Sequence, residues 1–286
     1  MLYFIIPLQM PENIPDNENS ISIVITSFND SRIINLISSL ITLNIKELII
    51  ADGGSEQNLV NSIQNIKSDK VKFCSVPGSV AESREGIRDK ITGEITVFID
   101  TDETPTSNWL QEITGPIINR ENDFVIGPTI PLNKPKNRIE EFINGFDHKF
   151  YAEIVSKDVT LGPMGNSAWK TKILKQVSFD TSLTMGGEDY DFTIKAVKHG
   201  FKGSYNPNAV LFHDQSGSAN LSKFLQKRFR YMVGASIAYK KNGYLNNKLK
   251  DRHIFNIITK DPLELVLLFM KPIAYMWSII AYGNFE

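Results

Sequence analysis

The chain has 286 residues, 42% apolar and 22% charged, with a formal net charge of -1. This composition excludes a disordered polar chain, and the balanced charge gives no support for a nucleic-acid partner, which would require a basic surface. The single Cys74 excludes an internal disulfide and any cysteine-rich metal site, so a reduced, cytosolic setting is expected, with Cys74 itself in the core.

Residues 1–8 are apolar but short, contain Pro7 and carry no basic residue, so they do not read as a signal peptide. Residues 11–20 read as a loose lead-in. From residue 21 the chain alternates in character. A β-rich run over 21–27 is followed by Asp30 as a helix N-cap and an amphipathic stretch at 33–43. A second strand, 47–51, ends in Asp52-Gly53-Gly54-Ser55, a turn that leads into a helix at 57–66. Strand 71–76, helix 81–91, strand 94–99, helix 109–119 and strand 123–126 complete the rhythm. Strands alternating with helices of this length predict an α/β fold with a mostly parallel sheet covered on both faces. Ligands in such sheets bind beyond the carboxyl ends of the strands, where the polar clusters after Ile25, Ile50 and Ile99 fall.

The second half breaks that rhythm. A helix is expected over 137–155, then a Gly162–Asn166 loop, a short helix from Thr171, a helix at 190–199, short strands at 202–205 and 210–212, and a long basic helix at 221–241. Residues 262–282 are almost wholly apolar but interrupted by Glu264, Lys271 and Pro272, which suits a helix lying at a membrane surface better than one spanning it. Tyr275, Trp277 and Tyr282 are aromatics of the kind favoured at membrane interfaces. A helix packed on the core is the competing reading.

Three clusters are rich enough in chemistry to form a site. Asp100-Thr101-Asp102-Glu103 ends an apolar strand with three carboxylates in four residues; a divalent cation would relieve their repulsion, and a solvated turn explains them equally well. Glu188-Asp189 follows Gly186-Gly187 at a helix start, where negative charge is favoured and a carboxylate can serve as general base. His213 follows a short strand and can act as a metal ligand or a structural residue. Lys223, Lys227, Arg228 and Arg230 on the long helix can face phosphate, anionic lipid or water.

Taken together and in order, these segments resemble the family 2 inverting glycosyltransferases, from about residue 21 to 241. The resemblance implies the GT-A (Rossmann-like) fold and transfer of a sugar, a hexose by expectation, from a nucleotide sugar. Residues 21–29 look like the opening strand that meets the nucleotide, implying donor contacts at Thr26, Phe28 and Asn29. Asp52 matches the aspartate of the D-G-S segment and Arg84 the arginine of an A-R-N-x-G stretch, in which Glu85 and Ile87 here depart from the pattern. Asp100-Thr101-Asp102 is similar to the D-x-D motif, Gly165-Asn166 to an acceptor-side turn, and Glu188-Asp189 to the E-D motif bearing the base. His213 matches a late histidine of the metal or diphosphate site. Arg228 and Arg230 lie where some members bind diphosphate, although the Q-x-x-R-W form is absent.

The resemblance thus implies a Mn²⁺ or Mg²⁺ ion held by Asp102, Asp100 and His213, a UDP- or GDP-sugar donor, and a glycan or lipid-linked acceptor. The expected location is the cytoplasmic face of a membrane. The expected organisation is a lead-in (1–20), a donor half (21–130), an acceptor half (131–245) and a C-terminal helical segment (246–286). Two other readings are weighed. A catalytically silent binding module is opposed by the intact Asp102 and Asp189. A nucleotidyltransferase is opposed by Thr26–Asp30, which lacks the glycine-rich basic loop.

Overall fold

A computed structural model describes residues 20–150, 161–214, 220–243 and 262–282. The lead-in expected before Ser20 and the end of the helix expected over 137–155 lie outside the described residues. In the first half, β1 (Ile21–Ser27), α1 (Ile33–Leu40), β2 (Glu47–Asp52), α2 (Gln57–Gln64), β3 (Val71–Ser75), α3 (Val80–Gly86) and β4 (Ile95–Asp100) follow the expected order. Then come β5 (Glu103–Pro105), α4 (Trp109–Ile118), β6 (Phe124–Ile126), β7 (Thr129–Pro131), α5 (Arg138–Phe150), β8 (Ser167–Lys170) and α6 (Thr171–Gln176). The chain continues through α7 (Glu188–Lys198), β9 (Gly203–Tyr205), β10 (Leu211–His213), α8 (Leu221–Lys241) and α9 (Pro262–Tyr282).

The main sheet has the order β3-β2-β1-β4-β8-β6-β9. Its strands pair in parallel except at β8, which runs antiparallel to both β4 and β6. Side-chain alternation builds two cores. Ile21, Ile23 and Ile25 of β1 meet Ile37 of α1 and Trp109 of α4 on one face, while Val24 joins Phe98, Trp169 and Phe192 on the other. With both faces covered, the central strands read as unbroken apolar runs. Cys74 is buried in the second core, as expected.

Three findings differ from the sequence reading. A second, three-stranded sheet of order β5-β10-β7 lies beside the first. Its middle strand, β10, answers to the strand expected at 210–212, but β5 and β7 are not expected from the sequence, being three residues long and too short to show a period of two. The helix expected over 81–91 ends at Gly86 and continues only as a short 3₁₀ turn at Arg88–Lys90. Arg32, not Asp30, immediately precedes α1; Asp30 stands two residues ahead of it, where its carboxylate accepts from the Arg32 amide at 3.1 Å and is also drawn into an ion pair with the Arg32 guanidinium at 2.6 Å.

Candidate active site

The parallel register brings the ends of three central strands to one edge: Thr26 stands level with Asp100, and Ser27 with Asp52. The site is assembled on this carboxyl edge. At the end of β4 the chain turns sharply into β5. Glu103, 6% exposed, accepts a hydrogen bond from the Asp100 amide at 2.9 Å. Burial, reinforced by the charge of Asp100, raises the Glu103 carboxyl well above its ordinary range. Glu103 therefore braces the turn from inside.

The two aspartates of the turn face different partners. β10 runs antiparallel to β5 with His213 opposite Glu103, and this sets the His213 Nε2 3.1 Å from Asp102 Oδ2. Arg32 stands on the other side, 3.8 Å from Asp102 and 3.1 Å from Asp214, while Thr101 donates to Asp30 at 2.7 Å. Burial raises Asp102, but the His213 hydrogen bond and the charges of His213, Lys227 and Arg32 outweigh it and leave the carboxyl below its usual value. Asp100 turns toward Arg84, 3.8 Å away, and toward Gly165. A Cβ on Gly165 would stand 2.6 Å from Asp100 Oδ2, so a glycine is what leaves that carboxylate its room.

Arg84 is the pivot. Its side chain is 5% exposed and pairs with Glu188, itself 10% exposed, at 2.8 Å. α3 is anchored for this by a capping box, Ser79 with Glu82. α7 starts at Gly186 and Gly187, with φ of 99° and 89°, left-handed values that suit glycine. Asp189 follows Glu188 in the first turn. Burial, with the adjacent charge of Glu188 adding to it against the attraction of Arg84, pushes the Asp189 carboxyl up to about 7. A carboxylate poised there suits proton transfer near neutral pH.

Other residues singled out from the sequence fall as follows. Phe28 is exposed at the mouth of the edge. The Asn29 amide donates to Ser55 at 2.8 Å and its side chain accepts from the Glu56 amide at 2.7 Å, tying the β1 and β2 loops together. Asp52 is buried; one oxygen accepts from the amides of Gly54 and Ser55, and the other has no hydrogen-bond partner among the described residues. Asn166 is wholly buried, accepts from the Trp109 indole at 2.7 Å and donates to the carbonyls of Pro128 and Ala209 at 2.7 and 2.8 Å. Its side chain thus ties the segments next to β6, β8 and β10 to the start of α4. On α8, Arg228 packs over Phe224 and Arg230 is exposed, whereas the charge of Lys227 reaches both Asp100 and Asp102. Arg32 is a cleft residue that the sequence reading did not select, whereas Lys227 is named there with the other basic residues of the long helix. The position of Arg32 just after a central strand was the available signal.

The donor set of Asp102 and His213, one carboxylate and one imidazole 3.1 Å apart with Asp100 alongside, suits a divalent cation of the Mn²⁺ or Mg²⁺ type. Among the described residues no three His, Cys, Asp or Glu side chains gather closely enough to hold an ion alone. Such an ion would draw its remaining ligands from phosphate oxygens and water, as is usual for these metals.

A family model described as glycosyl transferase family 2 matches residues 22–177. A dolichyl N-acetyl-α-D-glucosaminyl phosphate 3-β-D-2,3-diacetamido-2,3-dideoxy-β-D-glucuronosyltransferase from Methanococcus voltae is 24% identical over 261 residues, covering 80% of this chain and 76% of its own. Among solved structures, a mannosyltransferase from Pyrobaculum calidifontis in complex with GDP-Man and Mn²⁺ superposes with a TM-score of 0.63 at 14% identity, over 97% of this chain and 80% of that one. Glucosyl-3-phosphoglycerate synthase from Mycobacterium tuberculosis, with Mn²⁺, UDP and phosphoglyceric acid, gives a TM-score of 0.54 at 17% identity over 78% of each chain. The fold shared with these transferases is GT-A, as the sequence resemblance implied.

Proposed function

Because this chain belongs to glycosyl transferase family 2 and is a glycosyltransferase, we propose that it transfers a sugar from a UDP- or GDP-sugar to a glycan or lipid-linked acceptor, with inversion. The observation that carries this is a line of contacts across the cleft: Asp102 meets His213 at 3.1 Å, Asp100 of the same turn faces Arg84 at 3.8 Å, and Arg84 pairs at 2.8 Å with Glu188, the neighbour of Asp189. The donor half, residues 21–130, would supply Thr26, Phe28, Asn29, Asp52, Arg84 and the D-x-D turn. The acceptor half, 131–245, would supply Gly165 and the α7 start.

Asp102 and His213, with Asp100 alongside, would hold Mn²⁺ or Mg²⁺, which when bound would neutralise negative charge on the departing nucleoside diphosphate. Lys227 and Arg32 add positive charge on the same side. Asp189 takes the proton from the acceptor hydroxyl as its oxygen attacks the anomeric carbon, and the bond to the diphosphate breaks in the same step. Glu188, held by Arg84, orients the turn that carries Asp189. Gly165 leaves room at Asp100, and Asn166 shapes the loop behind it.

A membrane-associated setting, with the site at the cytoplasmic face, fits the C-terminal helix. α9 packs Leu267 and Ala274 against α8 and α5 yet exposes Phe269, Ile273, Met276 and Ile280 on its other side. By length and composition, its Pro262–Ile280 stretch is sufficient to cross a membrane. An apolar outer face together with Trp277 and Tyr275 suits lipid, and the M. voltae relative bears a dolichyl acceptor in its name.

The decisive experiment is a donor screen with purified protein, UDP- and GDP-sugars and Mn²⁺ or Mg²⁺, with and without membrane lipid extract. Turnover of one donor that stops in chelator and in Asp102→Ala supports the proposal. Metal-dependent nucleotide binding with no turnover of any donor in lipid extract would point instead to a silent binding module.

A further inference from the structure

α8 crosses the start of α7 at unusually close range. A Cβ on Gly234 would stand 1.9 Å from the Gly186 carbonyl oxygen, and a Cβ on Gly187 would stand 2.4 Å from the Gly234 carbonyl. One turn earlier on α8, the Tyr231 ring lies against Gly186, where a Cβ would come within 3.1 Å of it. Backbone therefore meets backbone at this crossing, and only glycine on both sides allows it. Behind it, Val233, Ile237 and Ala238 of α8 pack with Leu183 and with Ala274 of α9 into one buried cluster. The α7 start is thus held from two sides: by Arg84 through Glu188, and by α8 through Gly234.

We propose that Gly234 is a positioning residue that sets the place of Asp189 in the cleft. The inference rests on the reading of Asp189 as the base. An added methyl group at residue 234 has no space to enter, so the Gly186–Gly187 turn must move, and the first turn of α7 moves with it. The groups that face Asp189 are Glu188 on its own helix, Arg84 of α3, Asp100 of β4 and Tyr231 of α8. A shift of the turn changes its distance from all four, while the Asp102–His213 pair, held by β5 and β10, stays in place.

The test compares Gly234→Ala with Gly115→Ala on α4, where a Cβ meets nothing within 4 Å. Carboxyl ¹³C NMR follows Asp189, identified by its absence in Asp189→Asn; nucleotide binding is measured with UDP and GDP plus Mn²⁺. In Gly234→Ala the Asp189 midpoint is expected to fall by about one unit or more as the group leaves its buried place. Turnover is expected to fall about 100-fold with nucleotide affinity unchanged. Gly115→Ala should match wild type in every readout. A folded Gly234→Ala with an unmoved midpoint and full turnover overturns the proposal. If Gly234→Ala does not fold, Tyr231→Leu, which adds nothing at the crossing and removes the ring from Gly186, must move the midpoint the same way; an unmoved midpoint there overturns it too. Full turnover in Asp189→Asn overturns the base reading and the catalytic part of this proposal. Impaired Asp189→Asn beside an unaffected Gly234→Ala overturns the positioning alone.

Discussion

Arg84 and Glu188 lie 104 positions apart in the chain and meet at 2.8 Å in the protein interior. The pair joins α3, which leads from the donor edge, to the first turn of α7. It also sets a fixed positive charge between Asp100 and Asp189, two carboxylates that would otherwise repel.

That pair is expected to bear on stability as well as on catalysis. Arg84→Met leaves Glu188 buried without its partner and should destabilise the fold by about 3–5 kcal/mol, the usual cost of breaking a buried ion pair from one side. Arg84→Met combined with Glu188→Gln should recover part of the loss. Urea unfolding of the three variants checks this; a double variant no more stable than the single one would contradict it.

Asp189→Asn should lower kcat by about 10²- to 10⁴-fold with little change in the donor KM. The base must be ionised to act, so the wild-type rate should rise with pH through about 7. The same carboxyl links stability to pH. Its folded value lies above the ~3.9 of an unfolded aspartate. Its contribution to stability is therefore fully present below pH ~4 and is lost as pH rises through about 7. Tm measured from pH 5 to 8 should decline less in Asp189→Asn than in wild type.

His213→Ala and Asp102→Asn should each weaken Mn²⁺ binding in the presence of UDP or GDP by about tenfold or more. Asp100→Asn should weaken it less, because Asp100 faces Arg84 and Gly165. Isothermal titration with Mn²⁺ distinguishes the three, and an equal effect of all of them would place Asp100 within the metal site.

Asn166→Ala removes three hydrogen bonds from a wholly buried cluster, leaving the Trp109 indole and the Ala209 carbonyl unmatched, while the Pro128 carbonyl keeps only the Leu211 amide. A loss of about 3 kcal/mol or more is expected. An intact Tm with a raised acceptor KM would instead assign Asn166 to the acceptor.

Replacing Ile273, Met276 and Ile280 with Glu should abolish sedimentation with mixed neutral and anionic phospholipid vesicles, since all three are more than half exposed on α9. The circular dichroism spectrum should be unchanged. A wild-type chain that ignores vesicles but dimerises as its concentration rises would show that a second copy covers this face.

Much of the donor side was legible in the chain itself. The apolar runs of β1, β2 and β4, each followed by polar turn residues, announced a parallel sheet and its binding edge. Asp102, Asp189 and His213 stood out as carboxylates and an imidazole at strand ends and a helix start, and the resemblance to family 2 glycosyltransferases is what implied their roles. Of the second sheet only the middle strand was legible, since β5 and β7 are three-residue strands that carry no period, and the burial of Asn166 was not legible either, because its side chain answers to atoms 38 to 57 positions away.

The sequence by itself thus determined the α/β class, the succession of strands and helices in the first half and the residue types available for catalysis, because local periodicity and turn chemistry are written in neighbouring residues. Only the tertiary structure decided which of those residues meet. It sent Asp100 toward Arg84 and Asp102 toward His213, and brought the charge of Lys227 on α8 to both aspartates. It also laid Gly234 against Gly186. Such contacts depend on how helices pack across a sheet, and that packing is set by shape and burial across the whole chain, which no short stretch of sequence encodes.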